Sequence, residues 1–338
     1  MGADARFFER LGPLSAGDLA ALCGASLAGD AALAVSDVTT PDQPGPGELF
    51  FLAKGAAPAA DLSGACAIVA PGAPEIGAEA VLTVSDPRAA FGRACMALLR
   101  VRDHEGDHFI DPSARIAATA RLGPGVVVAA GADVGEHAVI GPGAVIGPGV
   151  VVGARTRIGA RAVVRCAVIG ADVDILSGAV IGEAGFGLAH DAGGLMSMPH
   201  VGRVMIEDQV VVGANTTIDR GMIRDTILRR ACKIDNLCHI AHNCDVGAGV
   251  VMAAYTGVSG SVVIGAGTQF GGRVGVADHL TIGEGARLAA DAAVMRDVPA
   301  GETWAGSPAQ PIKRFMREAA WLRREANRKR SDRQKDSP

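Results

Sequence analysis

From Ile116 onward, an aliphatic residue returns at every sixth position: Ile116, Leu122, Val128, Val134, Ile140, Ile146, Val152, Ile158 and Val164. One step of five leads to Ile169, Ile175 and Ile181. An insertion runs from Glu183 to about Met205, after which the phase resumes at Ile206, Val212 and Ile218. A four-residue insertion follows, and the repeat then holds from Leu228 to Val294. A period of six is neither helical nor simple strand alternation. It marks a mainly β chain wound as a left-handed parallel β-helix of hexapeptide repeats. Each hexapeptide supplies one short strand and one corner, and three make a triangular coil of about eighteen residues, rising about 4.8 Å. The aliphatic side chain points inward, as does the small residue four positions later. Gly or Ala directly after the aliphatic suits a tight corner.

Composition supports this core. Apolar residues make up 49% of the chain but aromatics only 4%, with 46 glycines, so small and β-branched side chains must fill the interior. The uncharged run from Ala138 to Ala154 carries two prolines and keeps the six-residue phase, which argues against a membrane span. Charges and glycines interrupt residues 1–30, so no signal peptide is expected. Seven scattered cysteines suggest a reducing, cytoplasmic setting without a disulfide framework.

Three regions are expected. Residues 1–104 read as a small α/β domain, with a helix at Ser15 to Cys23 and strands at Leu49 to Leu52, Ala67 to Ala70 and Val81 to Val84. A second helix should begin at Ser85-Asp86-Pro87 and reach about Arg102. Residues 112–306 form the β-helix, interrupted by a projecting loop at about 183–205 that carries Phe186, Met196 and Met198 and should border a cleft. Residues 307–338 form a C-terminal helix and tail, with Ser307-Pro308 as the helix start. Pro311 to Pro338 holds ten Lys/Arg against four Asp/Glu, on a chain with net charge −4. A basic tail on an acidic body suggests an anionic partner, although a solubilising helix would look the same.

The stretch Ile234 to Val246 reads I-D-N-L-C-H-I-A-H-N-C-D-V. Cys232, Cys238 and Cys244 are six apart, which hints at a metal site. The register instead places each in the small inward position on a different face, as packing. His242 should project outward near a corner, and eighteen residues on stands Gly260, with no side chain to cover its N–H. A base beside an oriented N–H donor is what acyl transfer needs. Asp278 follows two coils on, with His279 beside it, and Asp235 lies near enough in sequence to orient the imidazole. Other readings stay open at this point. His242 could be merely solvated on a noncatalytic scaffold, or pair with His239 in a zinc hydrolyase. The second lacks a third stacked histidine, so no metal is expected.

G-F-G at Gly185 to Gly187, N-T-T-I-D-R-G at Asn215 to Gly221 and I-D-N-L-C-H-I-A-H-N at Ile234 to Asn243 settle the resemblance. The chain resembles the UDP-3-O-acylglucosamine N-acyltransferases of lipid A biosynthesis in Gram-negative bacteria, from the N-terminal domain through the C-terminal helix. The resemblance implies His242 as catalytic base, Asp235 as its acidic partner and Gly260 N–H as oxyanion donor. It also implies His279 as a second active-site histidine and Asn236 at a polar substrate position. It implies a homotrimer with clefts between subunits, taking a 3-hydroxyacyl chain from acyl carrier protein to the 2-amine of a UDP-sugar. No metal or diffusible cofactor is then needed beyond the carrier's phosphopantetheine thioester, and no nucleic acid is involved. Another nucleotide-sugar amine or hydroxyl is the alternative acceptor. The basic residues Arg296, Arg314, Arg317, Arg323 and Arg324, followed by Lys329 and Arg330, gain a purpose in holding the acidic carrier. Two departures stand out. His239 occupies a position where the family usually has Gln or another residue. The family's F-x-x-N-P-x-Y uracil sandwich is reduced here to Phe50, with Ala53 and Ala56 at the Asn and Tyr positions, and one lost stacking face would cost about 1–3 kcal/mol.

Overall fold

The computed structural model describes residues 2–53, 56, 58–59, 61–104, 108–191 and 194–335, with side chains described for all of these except 191 and 327–335. The six-residue period is realised as three sheets of nine, eleven and nine strands among the described residues, parallel except for the last strand of the eleven. Ile116 pairs with Val134, Ile140 with Ile158, and Ile240 with Val258, so residues eighteen apart stack. The five-residue step shortens one coil, pairing Val152 with Ile169. The stack also continues across the insertions, where Ile181 pairs with Ile218 and Ile206 with Leu228.

Inward positions explain the stability of this stack. Ile140, Ile146, Val164, Ile234 and Ile240 are almost completely buried, each worth about 1.5–3 kcal/mol of transfer free energy. The second inward position takes mostly Ala or Val, with Thr or Cys at several coils. Thr216 there donates its hydroxyl to Asp235 O at 2.8 Å, and Thr268 donates to Gly283 O at 3.1 Å. The three cysteines do the same, Cys232 to Gly247 O at 3.0 Å, Cys238 to Ala253 O at 3.4 Å and Cys244 to Ser259 O at 3.2 Å. Burial pushes the Cys232 thiol up to about 11 and Cys244 up to about 12, so they are packing groups and not thiolate ligands.

The corners differ from expectation. The left-handed backbone falls three residues after the aliphatic, on Asn215, Leu237, Asn243, Ser261 and His279, all with φ between 55° and 62°. Glycine directly after the aliphatic has another cause, close approach by the next coil: a Cβ on Gly265 would lie 2.3 Å from Glu284 N.

The N-terminal domain carries a five-stranded sheet in the order Ser26–Gly29, Ala80–Thr83, Cys66–Val69, Glu48–Phe51, Asp37–Val38. Helix α1 (Ala16–Cys23) opens with a capping box between Ser15 and Asp18. Helix α2 (Pro87–Leu98) is capped by Asp86. It stops short of Arg102 because Leu99–Val101 pairs with Phe8–Arg10 instead. Arg203 ties this domain to the β-helix by reaching Asp4 at 2.8 Å and Asp225 at 2.7 Å. Burial alone would raise the Asp4 carboxyl, but hydrogen bonds from Arg6 and Arg203 hold it well below the usual carboxylate range.

The projecting insertion is built as an antiparallel hairpin, Leu188–Asp191 with Gly194–Ser197, rather than as an irregular loop. It docks on α2, where a Cβ on Gly92 would lie 3.0 Å from Met198 Sδ and 3.1 Å from Met196 Cε. Ser307-Pro308 does not start the last helix. Thr303–Ala305 joins the eleven-stranded sheet and turns back onto Gln310–Pro311, so α3 runs Ile312–Lys335. No helix among the described residues is long and apolar enough to cross a membrane.

Candidate active site

The strand His239–Ile240 ends in a corner at Ala241 to Asn243, beside a cleft of about 720 Å³. His242 and Gly260 meet there as the eighteen-residue stacking requires. A Cβ on Gly260 would lie 2.7 Å from His242 Cε1 and 2.8 Å from Nε2, so the imidazole lies flat against the glycine. On its other side, a Cβ on Gly185 would lie 2.7 Å from His242 Cδ2. The ring is therefore clasped between two glycines, one from the next coil and one from the start of the insertion. Gly260 N–H meets no acceptor among the described residues, whereas its carbonyl accepts from His279 N at 3.0 Å.

The neighbours of His242 fix its tautomer. Asn243 Oδ1 accepts from Met222 N at 3.0 Å, and its Nδ2 donates to Arg224 O at 3.0 Å, so the amide cannot be flipped. His242 Nδ1 lies 3.0 Å from that same Oδ1. Nδ1 must carry the hydrogen, and Nε2 of the neutral ring keeps its lone pair. Asn243 adopts the left-handed conformation that Asn tolerates well, which swings its side chain back onto the imidazole.

Asp235 is not the partner of His242 in this chain. A separation of seven residues carries it to a different corner of the coil. Its carboxylate accepts from the N and Nδ2 of Asn236, both at 2.8 Å. Asn236 in turn accepts from Ala214 N at 2.7 Å, so both residues pin their own corner. The carboxylate near the imidazoles is Asp219 of the I-D-R-G motif, 9% exposed and 3.7 Å from His239 Nε2. Burial raises its pKa, and His239 and His242 oppose that rise. Asp219 reaches this place because the four-residue insertion makes Ile218 pair with Ile240, twenty-two residues away. Arg220 is buried, donating to His200 O and Gly182 O, each at 2.8 Å.

His239 lines the same cleft as His242. It projects from the sheet face, with Nδ1 2.7 Å from Thr217 Oγ1. His279 also lines the cleft, exposed, with Asp278 beside it at 3.9 Å. Phe186, Arg88 from α2 and Met295 complete the walls. Among the described residues, no group of three or more His, Cys, Asp or Glu stands in a metal-binding arrangement.

Phe50 has no exposed surface. It packs with Leu52, Leu62, Ala67 and Val69 in a small core, so no face of its ring is open to a base. The alternation of a strand accounts for this: Phe51, next along, turns to the other side and lies 5.0 Å from Phe91. Arg296 stacks its guanidinium over Trp304 at 5.0 Å, and Arg314 pairs with Glu318 at 2.9 Å. Arg317, Arg323 and Arg324 are exposed on α3. The side chains of Lys329 and Arg330 lie outside the described residues.

The sequence reading did not single out His200. It is 2% exposed, its ring stands edge-on to His242 with centroids 5.0 Å apart, and it comes from the far end of the insertion. Only the hairpin's closure, invisible to the six-residue phase, brings it there.

Residues 131–166 match the family model described as bacterial transferase hexapeptide (six repeats). The chain is 53% identical to the UDP-3-O-acylglucosamine N-acyltransferase of Maricaulis maris, over 97% of this chain and 98% of that one. It is 47% identical to the enzyme of that name from Caulobacter sp., over 96% and 97%. Identity to the Methylobacterium sp. enzyme of the same name is 40%, over 97% of each chain. Such identity over nearly the full length of each relative shows that the chain belongs to the UDP-3-O-acylglucosamine N-acyltransferase family.

Proposed function

We propose that this protein transfers a 3-hydroxyacyl chain from acyl carrier protein to the 2-amine of UDP-3-O-acylglucosamine, a step of lipid A biosynthesis. The observation that carries the mechanism is the His242–Gly260 pair, an imidazole of fixed tautomer against an uncovered amide. His242 Nε2 removes a proton from the amine as its nitrogen attacks the thioester carbonyl. Gly260 N–H stabilises the oxyanion that develops on that carbonyl oxygen. The C–N bond forms and the C–S bond breaks. The proton returns from His242 to the departing thiolate, leaving an amide and the carrier's free thiol. Asn243 holds Nδ1–H throughout. His239, His279 and Arg88 line the cleft where the acceptor's polar groups would lie.

The reaction as written balances with a thioester and an amine alone, and it calls for no metal or diffusible cofactor. The working unit is a cytoplasmic homotrimer. Exposed Val251, Tyr255 and Val263 on the β-helix surface support an association of subunits. The carrier docks on Arg317, Arg323 and Arg324, with Arg296 and Arg314 nearby. The test is single-turnover transfer from 3-hydroxyacyl carrier proteins to UDP-3-O-acylglucosamine, with UDP-N-acetylglucosamine as control acceptor. Amide product from the first acceptor alone is expected, with an apparent affinity for the carrier that weakens as salt rises. Transfer to a hydroxyl instead would overturn the assignment.

A further inference from the structure

His200 is buried more deeply than any catalytic need of its own would allow. Its Nδ1 lies 3.0 Å from Met198 O, and a carbonyl only accepts, so Nδ1 carries the hydrogen. That leaves Nε2 as a lone pair, buried and without a partner among the described residues. An unsatisfied buried acceptor is costly and calls for an explanation. The surroundings are built to keep it. Arg220 fixes the His200 carbonyl at 2.8 Å, and the G-F-G segment leaves room for the ring. A Cβ on Gly187 would lie 3.0 Å from His200 Cε1. A Cβ on Gly185 would lie 3.0 Å from His200 Nε2 and 2.7 Å from His242 Cδ2, so the bare nitrogen and the edge of the base share one neighbour.

We propose that His200 is a positioning residue for His242, a neutral imidazole whose buried Nε2 stabilises the imidazolium that His242 becomes during transfer. The inference rests on the reading of His242 as base. A fixed dipole with its negative end beside a developing cation acts without reorganising, and no donor reaches Nε2 to cancel it. The groups facing this pair are few. Arg220 and Arg88 approach His200, Asp219 approaches both His239 and His242, and Asp278 and His279 lie across the cleft. Burial, with the nearby His242, pushes His200 down to about 4, so it stays uncharged while His242 cycles.

The experiment compares the full-length wild type with His200→Phe, which keeps a buried ring and removes the nitrogen, and with His200→Gln, which restores an acceptor. In His200→Phe, kcat should fall about tenfold with KM for the acceptor little changed, as expected for lost transition-state stabilisation. The acid limb of the kcat/KM profile should move to lower pH, and the thermal midpoint should hold or rise because an orphaned acceptor is gone. His200→Gln should recover part of kcat and of the limb. An unmoved acid limb in His200→Phe would overturn the proposal. So would activity that follows the thermal midpoint across both variants, since that is a packing role. The titration of His242 is also followed by NMR on ¹⁵N-histidine-labelled protein without substrate. A lower His242 titration in His200→Phe supports the pairing even if the acyl acceptor is misassigned. Inactive wild type on the proposed substrates would count against the function alone.

Discussion

The coils between Ile116 and Ile175 and those between Ile206 and Ile282 share one backbone design and differ in what their surfaces add to it. Ion pairs between coils occur in both, as with Arg229 and Asp245 at 2.7 Å in the second, but the second set also carries the histidine cleft. In the first set, outward positions stack as ion pairs between coils: Arg115 with Asp133 at 2.7 Å and Arg155 with Asp172 at 2.6 Å. In the second set, the strand position runs Thr217, His239, Gly257, and the corner runs His242, Gly260, Asp278. The inward residues are interchangeable between the two sets. The fold therefore depends on the inside of the repeat, and the outside is free to hold chemistry. The second set is also the one entered by both insertions. The longer one brings Gly185 and His200 onto His242, and the shorter one brings Met222 and Arg224 onto Asn243.

Substitutions in the two sets should separate accordingly. His242→Ala is expected to lower kcat about 10³–10⁴-fold with the thermal midpoint within a few degrees of wild type, as measured by carrier-thioester turnover and calorimetry. A stable protein with near-normal turnover would erase the distinction between the two sets. Gly260→Ala places a methyl where the imidazole lies. It should cost about 10²-fold in kcat, again with the coil intact, because the oxyanion donor and the base are pushed apart. At Gly125 of the first set, where nothing lies within 4 Å of a new Cβ, Ala should leave activity unchanged and lower stability only through its positive φ of 69°.

A smaller effect links the site to stability. His200 has a folded pKa of about 4, below the usual histidine value of 6.5, so the unfolded chain binds its proton first as pH falls. Stability is full above about pH 6.5 and should decline toward pH 4, by at most about 1.4 kcal/mol per unit from this group. The decline should be shallower in His200→Phe when denaturant midpoints are compared across that range. Smallest of all, Arg155→Ala removes an exposed, solvent-screened ion pair between coils and should leave both the denaturant midpoint and the activity almost unchanged.

How much was legible follows from the same contrast. The six-residue phase is an unbroken local signal, so it gave the sheets, the inward cysteines and the His242–Gly260 stack by counting alone. Separation along the chain was a poorer guide than the phase, inside the unbroken repeat as well as across its insertions. Asp235 looked close to His242 but sits at another corner, whereas Asp219 is close because the four-residue insertion changes the step to twenty-two. That step was open to calculation. Asn243 was in view within the motif, but its role depends on backbone groups of the insertion. His200 and the docking of Met196 and Met198 depend on a hairpin with no period. Phe50 failed for a simpler reason: a motif gives residue types, and the strand's alternation decides which of two adjacent phenylalanines faces inward.

The tautomer of His242 tests the account most directly. ¹⁵N chemical shifts of the histidine ring, above its titration, should show Nδ1 protonated and Nε2 bare in the wild type. Asn243→Ala should mix the tautomers and lower kcat about 10–100-fold. A wild-type ring protonated at Nε2 would leave no lone pair there to take the amine's proton, and would contradict His242 as the base.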